Sequence, residues 1–215
     1  MLEPPESAAG MRTRKSVKIL KKTDLAEVLA HFDREHPADE GTNGWARERA
    51  EQADKKLRGA WWHAELSGDE ALDIQLVGHR HGGIELIPPH GMTVREAAKR
   101  FKEIQKDYMA ASRECHDRLV RFGHDAFTPV LLSVEPPTGF GVIEYERLRL
   151  RNGSLVHLDG LHRLIAWAMA GRFEPERYSG STPRLQAFIA SREGRRSVWA
   201  GWLARFHHGK PPART

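Results

Sequence analysis

Cysteine is almost absent from this chain: Cys115 is the single one among 215 residues. One thiol excludes an internal disulfide and a thiolate metal cluster, and it suits a reducing compartment. No apolar run approaches the length that spans a bilayer, and the N-terminus carries no apolar segment of the signal-peptide kind. The expectation is a soluble, cytoplasmic protein with no membrane partner. No segment recurs at a fixed period, which excludes a solenoid. The glycine-rich stretch Thr138-Gly139-Phe140-Gly141 lacks the Gly-Lys-Ser or Gly-Lys-Thr of a P-loop. No helix-turn-helix with a basic recognition helix is visible, and the basic residues are not gathered on one helix.

What is present is a moderately basic chain, with a formal net charge of +5. Acids and bases are interspersed. That balance suits an anionic small molecule or nucleic acid. Residues 1–22 read as a flexible basic arm, with Val17, Ile19 and Leu20 as a candidate short strand within it, and residues 208–215 as a basic, proline-rich tail. Between them the pattern predicts a helix opened by Asp24 with Glu27 as its capping partner, and a second from Trp45 to about Trp61. Residues 71–77 and 84–88 read as a hairpin around the turn Gly78-His79-Arg80-His81-Gly82-Gly83. His79 and His81, with His90, invite a metal reading that lacks a carboxylate at fixed spacing. Thr93 and Glu96 form a capping box that starts one helix running to about Phe122, with Cys115 on its apolar stripe as a core filler. Short strands are expected within 128–134, 154–158 and 185–189, and a C-terminal helix over 195–207.

The most informative stretch is 154–171. It reads as strand, tight turn, apolar helix and stop at Gly171. Asp159 is a good N-cap and Gly160 lets the backbone turn sharply. From Leu161 to Ala170 the only polar side chains are His162 and Arg163, both in the first turn. There, unpaired backbone N–H groups and the positive end of the helix dipole already favour an anion. Arg163 offers a planar fork to two phosphate oxygens, or an ion pair to Asp159 four positions earlier. His162 can hydrogen-bond a phosphoryl group, act as an acid, or cap a neighbouring carbonyl. Asp159 can cap the helix, bind Mg²⁺, or take a proton from a hydroxyl. Glu135, at the end of a buried strand and before Pro136-Pro137, is a second carboxylate, either a base or an exposed loop acid.

Asp159-Gly160-Leu161-His162-Arg163 at a strand-to-helix turn, followed by Leu, Ala and an aromatic, resembles the signature of the ParB/sulfiredoxin-like fold. It looks most like the version found in kinases of free serine. Where sulfiredoxins carry a cysteine this chain has Leu161, and the Glu-Arg-Arg of ParB partition proteins is absent. The resemblance spans residues 128 to 190. The fold expected is α+β (or mixed α/β), a small mixed sheet from the 71–87, 128–134, 154–158 and 185–189 segments packed by helices; the resemblance implies a core over 126–207, with 23–125 as a helical and hairpin elaboration. It also implies that Gly160, Leu161, His162 and Arg163 hold the phosphates of ATP or ADP. Mg²⁺ would sit on Asp159, and catalysis would fall to Asp159, His162 and Glu135.

Two functions follow as expectations. The first is a nucleotide-dependent phosphotransferase, a kinase acting on a small hydroxylated metabolite such as free serine or threonine. The second is a ParB-like nucleotide- or nucleic-acid-binding module without phosphotransfer, which the basic arm, the basic tail and a pI of about 9.5 allow.

Overall fold

The computed structural model describes residues 17–36, 43–139, 142–151, 153–174 and 184–192. Most of the N-terminal arm, Phe140, Gly141, residues 175–183, the C-terminal helix read over 195–207 and the tail lie outside them. The strands are β1 (Lys18–Thr23), β2 (Ala60–Leu66), β3 (Gln75–Leu76), β4 (His79–His81), β5 (Ile84–Ile87), β6 (Met92–Thr93), β7 (Val130–Ser133), β8 (Val156–Asp159) and β9 (Leu185–Ser191). The helices are α1 (Leu25–Glu35), α2 (Asn43–Leu57), α3 (Gly68–Leu72), α4 (Val94–Ala111), α5 (Arg113–Phe122) and α6 (Leu161–Met169). A mixed seven-stranded sheet runs in the order β1-β2-β9-β7-β8-β3-β6, and β4 and β5 form a separate hairpin. The fold is α+β.

Helices cover both faces of the sheet. On one side, Phe101 and Tyr108 of α4, Leu119 of α5 and Leu164, Ile165 and Trp167 of α6 pack on Val130 and Leu132. On the other, Val28 and Phe32 of α1 and Ala50 and Leu57 of α2 pack on Leu131, Val156, Leu158 and Phe188. The central strand β8 is therefore buried on both faces, which explains its apolar reading. Each fully buried Leu, Ile or Trp of α6 contributes on the order of 2 kcal/mol.

The sheet joins the two halves of the chain. β2 pairs antiparallel with β9 from Ala60↔Ser191 to Leu66↔Leu185, and β3 pairs in parallel with β8 through Gln75↔Val156. The boundary expected at 125/126 thus divides a single sheet, and residues 23–125 supply strands to the core.

Several local expectations need correction. The helix expected to reach Trp61 ends at Leu57, because Arg58 and Gly59 both take positive φ. Trp61 and Trp62 then enter β2, and the Trp61 indole donates to Asp54 Oδ1 at 2.7 Å. The hairpin is displaced: Ser67 and Glu70 close a capping box that makes Ala71 and Leu72 helical. The tight turn is Gly82-Gly83, and a Cβ on Gly82 would lie 2.4 Å from the Ala111 carbonyl oxygen. The long helix from Thr93 is two helices. Ser112, at φ −153°, donates its N–H to Tyr108 O to close α4, and its hydroxyl accepts from Cys115 N to open α5. Among the described residues of 142–150 the short element is a single 3₁₀ turn, Ile143–Tyr145.

His157, in the middle of β8, is fully buried, and its Nδ1 accepts the Val77 N–H at 3.4 Å. Burial, followed by the nearby Arg49 charge, pushes its pKa down to about 3. The imidazole is neutral in the folded protein and takes up a proton near its ordinary pKa of about 6.5 when unfolded. The unfolded chain therefore binds more protons between those values, so stability is fully present above pH about 6.5 and falls as the pH drops towards 3. Urea unfolding across pH 7 to 4.5 should show this loss. In His157→Asn, whose amide oxygen keeps the acceptor, the slope should be shallower by up to about 1.4 kcal/mol per pH unit. Identical slopes would refute the assignment.

Candidate functional site

β8 delivers Asp159 to its carboxyl end, and Gly160 turns the chain into α6 at φ 97°, ψ 15°. That left-handed backbone suits glycine, and the space demands it: a Cβ would sit 2.6 Å from Val130 Cγ1. Leu164 N donates to Gly160 O at 2.9 Å. The amides of Leu161, His162 and Arg163 precede the first intrahelical bond and point from the positive end of the helix.

Gly160, and not Asp159, is the N-cap, and no side chain caps α6. The Asp159 carboxylate instead takes a hydrogen bond from Arg163 Nη2 at 2.5 Å, the i,i+4 pairing that the sequence left open. Arg163 Nη1 donates to Thr128 Oγ1, and the arginine side chain is only 12% exposed. His36, at the C-cap of α1, brings Nε2 to 3.8 Å from Asp159 Oδ2. Behind the strand end, Arg49 of α2 donates to Glu144 through Nε at 2.9 Å and Nη2 at 2.8 Å, and reaches the Leu158 carbonyl through Nη1 at 3.4 Å. The Tyr145 hydroxyl donates to His157 O at 2.8 Å. A shallow hollow lined by His31, His36, Pro129, Leu131 and Phe188 adjoins Asp159 across the His36 ring.

Of the residues singled out in sequence, Asp159, Gly160, the Leu161 amide and Arg163 come together at this turn. His162 does not join them. Its ring lies edge-on to His79, with centroids 5.1 Å apart, and its Nε2 is buried without a hydrogen-bond partner among the described residues. Burial, then the neighbouring His79, Arg118 and His81, lower its pKa to about 3, so it is a neutral imidazole and no phosphate clamp beside Arg163. Glu135 is also elsewhere. β7 runs antiparallel to β8, so Ser133 pairs with Val156, at the end of β8 opposite Asp159, and Glu135 lies beyond it. There its carboxylate accepts from Arg192 Nε at 3.1 Å and Nη2 at 3.0 Å. It cannot serve as a base at the Gly160 turn.

The sequence reading missed Arg49, Glu144, His36 and Thr128. Arg49 precedes Ala50 on a helix read only for its apolar stripe, and its partners lie 95 and 109 positions away. The sole local signal was His36 before Pro37, a helix end.

Mg²⁺ requires several hard oxygens in octahedral array. Asp159 supplies one carboxylate, with the Arg163 guanidinium at 2.5 Å and the His36 ring at 3.8 Å from it. This set fits Mg²⁺ only as the companion of a phosphate that takes over Arg163. A softer donor set lies on the other side of α6, where His79, Cys115 and His162 bring one ligand atom each within 4.8 Å of one another.

The chain belongs to a family of unknown function, DUF6309, whose model matches residues 17–197. No curated protein and no solved structure matches it. The tight turn gives the site its first test. Gly160→Ala should lower stability by about 1–3 kcal/mol through strained φ and the clash with Val130, read as a fall in thermal midpoint. A wild-type midpoint would show that the turn tolerates a side chain.

Proposed function

We propose that this chain is a nucleotide-dependent phosphotransferase of the ParB/sulfiredoxin-like kind, acting on a small hydroxylated metabolite such as free serine or threonine. The observation that carries the reading is the Gly160 turn: a left-handed glycine at the end of a buried strand, three helix-start amides, and Arg163 folded back over them onto Asp159. In the free protein Asp159 takes one arm of the Arg163 guanidinium and Thr128 the other. A nucleotide phosphate offers two oxygens to the same pair of donors and competes for them. Displacement leaves the Asp159 carboxylate beside the bound phosphate, where it takes the proton from the acceptor hydroxyl. The hydroxyl oxygen then forms its bond to phosphorus as the bond to the leaving nucleotide breaks. Asp159 would hold Mg²⁺ when the nucleotide brings it, and the ion would supply charge neutralisation. His36, within reach of Asp159, holds the carboxylate once Arg163 has left it, and Arg49 braces the strand end.

A second reading, nucleotide binding without transfer, also has an observation behind it. Both nearby carboxylates are engaged by arginines, Asp159 by Arg163 and Glu144 by Arg49.

A thermal-shift screen of ATP, ADP, GTP and CTP with Mg²⁺ identifies the nucleotide, since a ligand of the folded state raises the midpoint by mass action. Phosphorus NMR with hydroxy amino acids then reads transfer. Arg163→Ala should weaken nucleotide binding at least about tenfold, the loss of a charged bidentate contact. In the absence of Mg²⁺, Asp159→Asn should bind nucleotide as well as wild type or better, because its competitor for Arg163 is gone; with Mg²⁺ it should lose turnover about 10²-fold or more. Wild-type binding and turnover by Arg163→Ala would overturn the proposal. Binding without any phosphoryl transfer would select the second reading.

A further inference from the structure

We propose that His79, Cys115 and His162 bind a divalent metal ion of the zinc type, at a place distinct from the Gly160 turn. The three ligands come from three elements that meet under the hairpin: β4, the first turn of α5 and the first turn of α6. One ring nitrogen of each histidine and the cysteine sulfur all lie within 4.8 Å of one another. A tetrahedral Zn²⁺, with bonds of about 2.0–2.3 Å, places such atoms about 3.3–3.7 Å apart. Side-chain movements of about 1 Å therefore close the site.

Two further observations point to an ion. His79 Nε2 and His162 Nε2 are both buried, and neither has a hydrogen-bond partner among the described residues. A buried ring nitrogen without a partner is destabilising, and this edge-on pair of rings leaves two of them in one place. A metal removes the cost at each nitrogen it takes. The donor set is also selective: one soft sulfur, two imidazoles and no carboxylate, a combination that suits Zn²⁺ and disfavours Mg²⁺ or Ca²⁺. The Tyr108 hydroxyl, at the end of α4, is likewise buried without a hydrogen-bond partner among the described residues. Arg118, the cation beside His162, is paired with Glu114 at 2.9 Å.

The backbone around the ligands is closely fixed. Ser112 caps α5 so that Cys115 falls at its third position. Gly82 packs on the end of α4, and Arg100 donates to Glu85 O at 3.1 and 3.0 Å, which holds the hairpin carrying His79. Three protein ligands leave the fourth tetrahedral corner to a water or to an oxygen of a bound molecule.

The test uses the full chain, stripped with a chelator and without nucleotide, so its outcome is separate from that of the phosphotransferase proposal. Zn²⁺ titration should give one tight ion per chain and a rise in thermal midpoint. Reloading with Co²⁺ should give tetrahedral visible bands together with thiolate-to-cobalt charge transfer. Cys115→Ser, a near-isosteric change, should abolish the charge-transfer band, and His79→Asn and His162→Asn should each weaken binding at least about tenfold. His63→Asn, on β2 and hydrogen-bonded to Gln186, should change nothing. The chain holds 12 histidines, so adventitious binding would show as cobalt colour without the thiolate band. That result, the absence of a stoichiometric ion, or unchanged binding by folded Cys115→Ser would overturn the proposal. Should the variants fail to fold, the wild-type cobalt spectrum decides alone.

Discussion

The close approach of Gly160 to Val130 is the constraint from which the rest of this region follows. β8 is buried on both faces, so the chain can leave it only at its end, and there it must turn within one residue beneath β7. A side chain at that point would strike Val130 Cγ1 at 2.6 Å. The turn consequently starts α6 directly, with glycine at the N-cap and no capping side chain. Asp159 is left as the last residue of the strand, one helical turn from Arg163, and the two pair.

The same turn separates the two cations that look like a unit in sequence. Successive residues on a helix point about 100° apart and do not share a face. When Arg163 folds back to Asp159 and Thr128, His162 must aim elsewhere, and it meets α5 and the β4–β5 hairpin. Reading His162 and Arg163 as one phosphate clamp neglected this angle. The motif sends two donor sets in different directions, one to the strand end and one to the neighbouring helix.

Patterns that depend on near neighbours were legible in the sequence. The capping box of Thr93 and Glu96 forms with both of its arms, and the apolar runs around 130–133, 156–159 and 185–191 are strands because they lie in a covered sheet. Patterns decided by distant partners were not. β2 was read as the end of a helix because Trp61 keeps helical spacing with Leu57; pairing with β1 and β9 outweighs that periodicity once Arg58 and Gly59 break the helix. Ser112 hid in a long amphipathic stretch because its neighbours on both sides keep the stripe. His79 was grouped with His81 and His90, its neighbours in the chain, whereas its spatial neighbours are His162 and Cys115, which depend on three elements folding together. Cys115 looked like core because it is core; burial and ligation make the same demand on a helix face.

The two sides of the α6 first turn differ in chemical hardness, and that difference keeps them from interfering. Toward the strand end stand carboxylate, hydroxyl and guanidinium groups, which suit phosphate and hard cations. Toward α5 stand imidazole and thiol, which suit a softer ion. Mg²⁺ accompanying a nucleotide gains little from sulfur and nitrogen, and an ion held by Cys115 has no reason to leave for one carboxylate already beside an arginine. The two are nevertheless linked mechanically, since His162 and Arg163 are adjacent on one rigid turn. Fixing the imidazole against α5 fixes the angle at which the guanidinium meets Asp159, so whatever steadies His162 also sets the orientation of Arg163.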